Sequence, residues 1–217
     1  MKPESGPNSG PLGLYGGSFN PVHRGHLEVA RRAREAFGLE RVLFIPAARP
    51  PHKLDQTLAG PRDRVAMLEL ALADLEWAAV EPLELDRDGP SYSVHTAEAL
   101  LAADPGLEGR LYWILGGDNL PGLPGWYQVE RLLELVFPIV LRRAGDGADL
   151  IGPLAGRLSP RALERLAAGV MDLPPTPGRS SELREALIAG WRGLADLPAG
   201  VETYVLERGL YGTGDSR

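Results

Sequence analysis

Residues 12–29 read LGLYGGSFNPVHRGHLEV. An apolar run of strand length, 12–16, ends in two adjacent glycines, Gly16 and Gly17. An Asn-Pro turn and two histidines, His23 and His26, then lead into helical periodicity over 25–37. A strand that passes through a glycine turn into a helix is how a βαβ unit begins, and the rest of the chain repeats the alternation. Further strand-length runs lie at 41–46, 77–82, 111–116 and 136–141, with a sixth candidate at 170–173. Helical spacing recurs at 62–73, 94–103, 127–135, 160–168, 181–189 and 200–208. The expected fold is α/β: a Rossmann-like, doubly wound parallel sheet of about five to six strands. A small helical C-terminal portion is expected from about residue 153.

Residues 1–11, MKPESGPNSGP, are rich in Pro, Gly and Ser and lack the apolar centre of a signal peptide. They read as a flexible tail ahead of a single domain over 12–217, within which GDGADLIGP, 145–153, is the best hinge candidate. No apolar run approaches the roughly 18 to 20 residues that cross a bilayer, so no membrane anchor is expected. The absence of cysteine excludes disulfides, thiolate metal sites and cysteine nucleophiles, and fits a cytoplasmic setting. A net charge of -6 argues against a broad nucleic-acid surface, which needs clustered Lys and Arg. Any phosphate ligand must then be held by a local pocket.

In open sheets of this kind ligands bind outside the carboxyl ends of the strands, which groups the loops 16–24, 47–60, 83–93 and 116–126. The first of them does not carry the dinucleotide fingerprint G-x-G-x-x-G, because the next glycine after the adjacent pair is Gly25. It does not carry G-x-x-x-x-G-K-[ST] either. A zinc reading would use His23 and His26, but no acidic residue stands between them and no cysteine is present. A plain tight turn followed by two polar residues at a helix start also fits the pattern. A phosphate cradle has the stronger physical argument. Gly16, Gly17 and Gly25 leave backbone N–H groups uncovered beside a helix N-terminus, and the histidines add donors to oxygens that gain charge during phosphoryl transfer.

The stretch GGSFNPVHRGH resembles the GG-[ST]-F-[DN]-P-x-H-x-GH pattern of the HxGH nucleotidyltransferases, and the resemblance narrows to the bacterial nicotinate-nucleotide adenylyltransferases. PAARPPHK, 46–53, is similar to that family's second phosphate loop, and PRDRVAMLELALAD, 61–74, to the helix after it. DGPSYSVHT, 88–96, resembles the substrate-selecting segment. ILGGDNLPGLPGWY, 114–127, resembles the strand and loop of the mononucleotide site. SSELREAL, 180–187, and LPAGVETYVLERGLY, 197–211, complete a likeness that runs from about residue 12 to 211.

The resemblance implies transfer of the adenylyl group of ATP to nicotinate mononucleotide, giving nicotinate adenine dinucleotide and pyrophosphate. It implies an ATP side of Gly16, Gly17, Ser18, Phe19, His23, Gly25 and His26, with Ser180, Ser181 and Arg184 on the β- and γ-phosphates. His26 would stabilise the α-phosphate in the transition state, His23 its neighbouring oxygens, and Lys53 would supply a compact positive charge. For the mononucleotide it implies stacking on Trp126, a ribose contact from Asp118 after Gly116, and carboxylate recognition by Ser93 and a backbone amide near Gly122. A Trp is also a common core residue, and Asp118 could be an ordinary loop carboxylate. Mg2+ would arrive on ATP, with no metal site of the protein's own. The chain departs from the family's I-S-[ST]-T-x-I-R run, since Gly178 and Arg179 stand where Ile and the first Ser are usual. His95 is assigned no role beyond packing at a helix start. The nearest alternatives are a nicotinamide or dual-specificity mononucleotide adenylyltransferase, then a phosphopantetheine adenylyltransferase. From another class come a noncatalytic nucleotide-binding protein and a dinucleotide-binding oxidoreductase. No nucleic acid or membrane partner is implied, and oligomeric state stays open, a homodimer included.

Overall fold

The computed structural model describes residues 10–48, 58–87, 89–143 and 145–214. Six strands, β1 (Leu12–Gly17), β2 (Arg41–Pro46), β3 (Ala78–Val80), β4 (Leu111–Gly116), β5 (Phe137–Arg143) and β6 (Val170–Leu173), form a sheet in the order β3-β2-β1-β4-β5-β6. The pairings of β1 with β4, β4 with β5 and β5 with β6 are parallel. Helices α1 (Arg24–Phe37), α2 (Pro61–Leu72), α3 (Ser93–Ala103), α4 (Val129–Leu135), α5 (Pro160–Ala168), α6 (Ser180–Ile188) and α7 (Val201–Glu207) alternate with the strands or follow them. The strand order reverses direction between β1 and β4, the switch point at which α/β sheets open to ligands. Tyr15 lies beside Ile114, so the glycine pairs Gly16-Gly17 and Gly116-Gly117 close neighbouring strands at the same end.

The described residues divide into two compact units that alternate along the chain: those within 10–16, 32–43 and 92–175 form one, and those within 17–31, 44–91 and 176–214 the other. In the first, β5 is buried from Pro138 to Leu141 and its Val140 joins an apolar cluster with Leu120, Leu123, Val129, Leu133, Leu154, Leu158, Ala162 and Leu166. The residue before α5, Ser159, caps it by accepting the Ala162 N–H at 3.2 Å. Glu130 in turn accepts from both the N–H and the hydroxyl of Ser159 at 2.7 Å. With Pro160 as the first helical residue, the start of α5 follows from local chemistry alone. The segment 145–153 belongs wholly to this unit, and the contact division falls instead after Pro175. Its carboxylates explain why: Asp149 Oδ1 takes the N–H groups of Ile151 and Gly152, and Asp146 Oδ2 that of Arg143.

In the second unit α2 begins at Pro61 and buries Met67, Leu68, Ala71, Leu72 and, on the same face, Arg64. The short β3 is followed by Glu81, whose N–H bonds to the Phe44 carbonyl at 2.9 Å. Tyr204 of α7 donates to Asp63 Oδ1 at 2.9 Å, fastening α7 to the first turn of α2. In the first unit, the expected loop 116–126 is wound into 3-10 turns over Gly117–Gly125. Pro121 and Pro124 lack the N–H that an α-helical ladder would use there.

Leu123 is fully buried in the apolar cluster beneath these turns. Leu123→Ala should therefore lower stability by about 2–5 kcal/mol, read as a drop in Tm with the far-ultraviolet spectrum retained.

Candidate active site

After Gly17 the chain turns sharply through Phe19, with φ of +45°, and a cis Asn20-Pro21 bond. Phe19 and Asn20 are buried at 0% and 1% exposure, so the backbone of this turn needs partners from the protein itself. Arg64 supplies the first of them and ties the turn to two other segments. Its guanidinium, 1% exposed, donates from Nη1 to the Ser18 carbonyl at 3.1 Å and the Ala47 carbonyl at 2.8 Å, and from Nε to the Ala59 carbonyl at 3.2 Å. Burial lowers its pKa below the ordinary arginine value, yet the group stays cationic. The Asn20 carbonyl accepts Arg184 Nη1 at 2.7 Å, and the Pro21 carbonyl accepts the Ser180 hydroxyl at 3.0 Å. Asn20 Oδ1 takes the Ala59 N–H and the Tyr211 hydroxyl, both at 2.9 Å.

His23 is the residue before α1. Its carbonyl accepts the His26 N–H at 2.9 Å, while its own N–H donates to His26 Nδ1 at 3.2 Å. The second bond is the N3 half of a capping box, with imidazole in place of a carboxylate. A ring nitrogen that accepts is unprotonated, so the neutral His26 ring carries its proton on Nε2 and presents it as a donor. The two imidazoles lie with centroids 3.7 Å apart, and Phe19 meets the His26 ring edge-on at 5.1 Å. Orienting contacts therefore hold His26 on two sides, at the positive end of a 14-residue helix.

The glycines have internal reasons that their sequence pattern does not reveal. A Cβ at Gly17 would come within 2.9 Å of the Phe19 ring, and one at Gly16 within 3.2 Å of Trp113. At Gly25 it would collide with the Pro177 carbonyl and the His23 ring. At Gly17 and Gly25 the missing side chain is thus required by the protein's own packing, before any ligand is considered, and at Gly16 it is favoured. Gly178, where the family usually has Ile, has φ of +78° and lies against the His23 ring, a conformation that excludes a β-branched residue. Arg179 precedes α6 without capping it and pairs with Glu182 at 3.7 Å, with 80% of its side chain exposed. Neither Ser180 nor Ser181 is the capping residue, because Ser180 spends its hydroxyl on Pro21 and Ser181 is exposed.

The second unit accordingly gathers Gly17, Ser18, Phe19, His23, Gly25, His26, Ser180 and Arg184 through direct bonds and contacts. Lys53 lies outside the described residues. Ser181, also in the second unit, is exposed, and the remaining expected positions are in the first unit. Asp118 is exposed, 3.9 Å from Arg143 Nη1, and Asn119 donates to its Oδ1 at 3.3 Å. Gly122 is exposed with open space where a Cβ would stand. Trp126 is half-buried, packed against the apolar cluster of the fold. Ser93 opens α3. The neighbours of Ser93 and Trp126 tie their two segments together: the Tyr92 and Tyr127 rings stack at 4.5 Å, and His95 meets both edge-on. That packing is what His95 does. Tyr15, at the end of β1, is buried, which pushes its hydroxyl well above the usual tyrosine pKa despite the Arg143 charge, with Asp118 adding to the rise.

Sequence reasoning missed Arg64, Asn20 and Tyr211 as parts of the site. For Arg64 a signal existed, since it shares the spacing of Met67, Leu68 and Ala71 on the apolar face of α2. A charge on such a face must find internal acceptors. For Asn20 and Tyr211, nearly two hundred residues apart, no local pattern links one to the other.

The cytidylyltransferase-like family model matches residues 14–186. A protein of Synechococcus sp. strain JA-3-3Ab, named probable nicotinate-nucleotide adenylyltransferase, is 40% identical over 202 residues, covering 92% of this chain and 94% of its own. A Gloeobacter violaceus protein of the same name is 40% identical over 205 residues, covering 92% and 95%. Among solved structures, Plasmodium falciparum nicotinic acid mononucleotide adenylyltransferase complexed with NaAD superposes with a TM-score of 0.70 at 16% identity. That superposition covers 94% of this chain and 98% of the other, and it supports the fold.

Arg64→Met would leave the carbonyls of Ser18, Ala47 and Ala59 without their buried donor. It should lower stability by about 3–5 kcal/mol, read as a fall in Tm larger than that of Arg62→Met on the exposed side of the same helix.

Proposed function

Because the chain belongs to the nicotinate-nucleotide adenylyltransferases of the cytidylyltransferase-like family, we propose that it transfers the adenylyl group of ATP to nicotinate mononucleotide in NAD biosynthesis. A phosphate oxygen of the mononucleotide attacks the α-phosphorus of ATP. The bond from that phosphorus to the bridging oxygen breaks, and pyrophosphate leaves with the electron pair. The nucleophile is already an anion, so no covalent enzyme intermediate and no general base are needed. What the protein must supply is position and positive potential.

The observation that carries this reading is His26, held by the His23 N–H in the tautomer that presents Nε2–H at the start of α1. A preorganised donor at a helix N-terminus favours charge that grows on a phosphate oxygen in the transition state more than the charge already present in the ground state. In this reading His23 contributes its other ring edge, and Gly16, Gly17, Ser18, Phe19 and Gly25 shape the cradle. Arg184, with one nitrogen on the Asn20 carbonyl, has further N–H groups for the departing pyrophosphate. Ser180, Ser181 and the uncapped N–H groups of α6 add to the same anion site, and Lys53 brings a compact positive charge.

On the mononucleotide, Trp126 stacks on the pyridine ring, its position set by the apolar cluster behind it. Asp118 accepts from a ribose hydroxyl, and Ser93 with an amide near Gly122 selects the acid. Nucleotidyltransferases of this family use a divalent metal with ATP. Among the described residues no group of three or more His, Asp or Glu side chains could hold a metal ion. In this proposal the ion is Mg2+ carried by ATP.

Purified protein given Mg-ATP should release pyrophosphate with nicotinate mononucleotide and much more slowly with the nicotinamide analogue. Release with neither would defeat the assignment, and equal rates would remove only the preference for the acid. His26→Ala should lower kcat by about tenfold to a hundredfold with the fold retained and a stability loss no larger than that of one helix cap, about 1 kcal/mol, and near-normal turnover would refute the role given to its Nε2–H.

A further inference from the structure

The C-terminal stretch ETYVLERGLY, 202–211, lies beyond the family model's match at 14–186, and the proposed reaction leaves it without a task. Its two tyrosines donate to different acceptors. Tyr204 bonds to Asp63 on the first turn of α2. Tyr211 bonds at 2.9 Å to Oδ1 of Asn20, in the middle of the phosphate turn. That oxygen also accepts the Ala59 N–H, and the main-chain carbonyl of Asn20 accepts Arg184 Nη1 at 2.7 Å. Donors from three distant segments thus converge on one buried residue. If the amide rotates, the Ala59 and Tyr211 bonds are lost together, and the carbonyl that orients Arg184 is free to move.

The backbone makes an independent case. Among the described residues, the non-glycine positions with positive φ are Phe19, Gln128 and Tyr211. Two of these adjoin Asn20, Phe19 along the chain and Tyr211 across the hydrogen bond. Aromatic residues seldom adopt this conformation, and it persists where the surroundings over-determine it, as they do at sites that must be held in one geometry. Burial raises the Tyr211 pKa even though the Arg184 and Arg64 charges lower it, so the hydroxyl remains a donor.

The geometry points to Tyr211 as a positioning residue for adenylyl transfer: its hydroxyl, acting through Asn20, sets the guanidinium of Arg184 that faces the leaving pyrophosphate. This rests on the function proposed above. The bond is a long-range one, made after α7 has already been fastened by Tyr204, so its purpose is not to dock that helix.

The test compares Tyr211→Phe with Tyr204→Phe in the full chain. Each removes one hydroxyl from the same C-terminal stretch. Tyr211→Phe should lower kcat about tenfold while KM for the mononucleotide stays within about twofold. It should also weaken calorimetric binding of the α,β-methylene analogue of ATP about fivefold, whereas Tyr204→Phe leaves both readouts within about twofold. Asn20→Ala with Tyr211→Phe should be no slower than Asn20→Ala alone, because the two act in one chain of contacts. A Tyr211→Phe enzyme that keeps wild-type kcat and analogue affinity overturns the inference, and so do multiplying effects in the double variant. Should Tyr211→Phe fail to fold, Asn20→Asp keeps the acceptor that Asn20→Ala lacks, and equal kcat in those two overturns it. A wild-type protein that releases no pyrophosphate would instead defeat the function, and analogue affinity would still decide the role of Tyr211.

Discussion

A guanidinium removed from water is tolerated only where its N–H groups meet acceptors, and Arg64 meets three, the carbonyls of Ser18, Ala47 and Ala59. The turn that follows β1 depends on that arrangement. It leaves β1 through a residue with positive φ, and so cannot satisfy its own carbonyls in a ladder or a helix. Arg64 takes the first of them, Arg184 and Ser180 take the next ones at Asn20 and Pro21, and His26 closes the sequence by capping α1. A cation buried on the core face of α2 is a poor way to build a helix but an effective way to fix a turn. It donates in several directions at once from a rigid plane.

The first unit solves a different problem with apolar chemistry. A loop with two prolines cannot form a continuous α-helix, so Gly117–Gly125 winds in 3-10 turns whose Leu120 and Leu123 point into the cluster beneath. Trp126 follows as the residue that ends those turns, with its N–H on the Leu123 carbonyl. Its indole is thus held by backbone and by packing, which would limit the ordering cost of the stacking proposed for it. Tyr92, His95 and Tyr127 add an aromatic brace between α3 and this loop.

Much of this was legible in the chain. β2, β4, β6 and α5 lie at the residues where apolar runs and helical spacing put them, because each is bounded by a local signal such as Ser159-Pro160 ahead of α5. The helix after GGSFNPVH begins at Arg24, one residue earlier than its apolar periodicity suggests. The capping pair of His23 and His26, not periodicity, sets that boundary. The C-terminal motif illustrates the limit: Ser180 and Ser181 look like capping residues, yet the hydroxyl of Ser180 is claimed by a carbonyl 159 positions away.

The amino-acid sequence by itself determined the α/β alternation, the family and the identity of the paired histidines, because periodicity, turn residues and motif spacing are properties of neighbours along the chain. Only the tertiary structure decided what holds those histidines and the turn before them. The reason Gly25 and Gly178 are glycines is a carbonyl and an imidazole that packing brings against them. The reasons Arg64 and Tyr211 matter are acceptors 46 and 191 residues distant. A buried polar group must find its partner wherever the fold places one, and no local pattern encodes that distance.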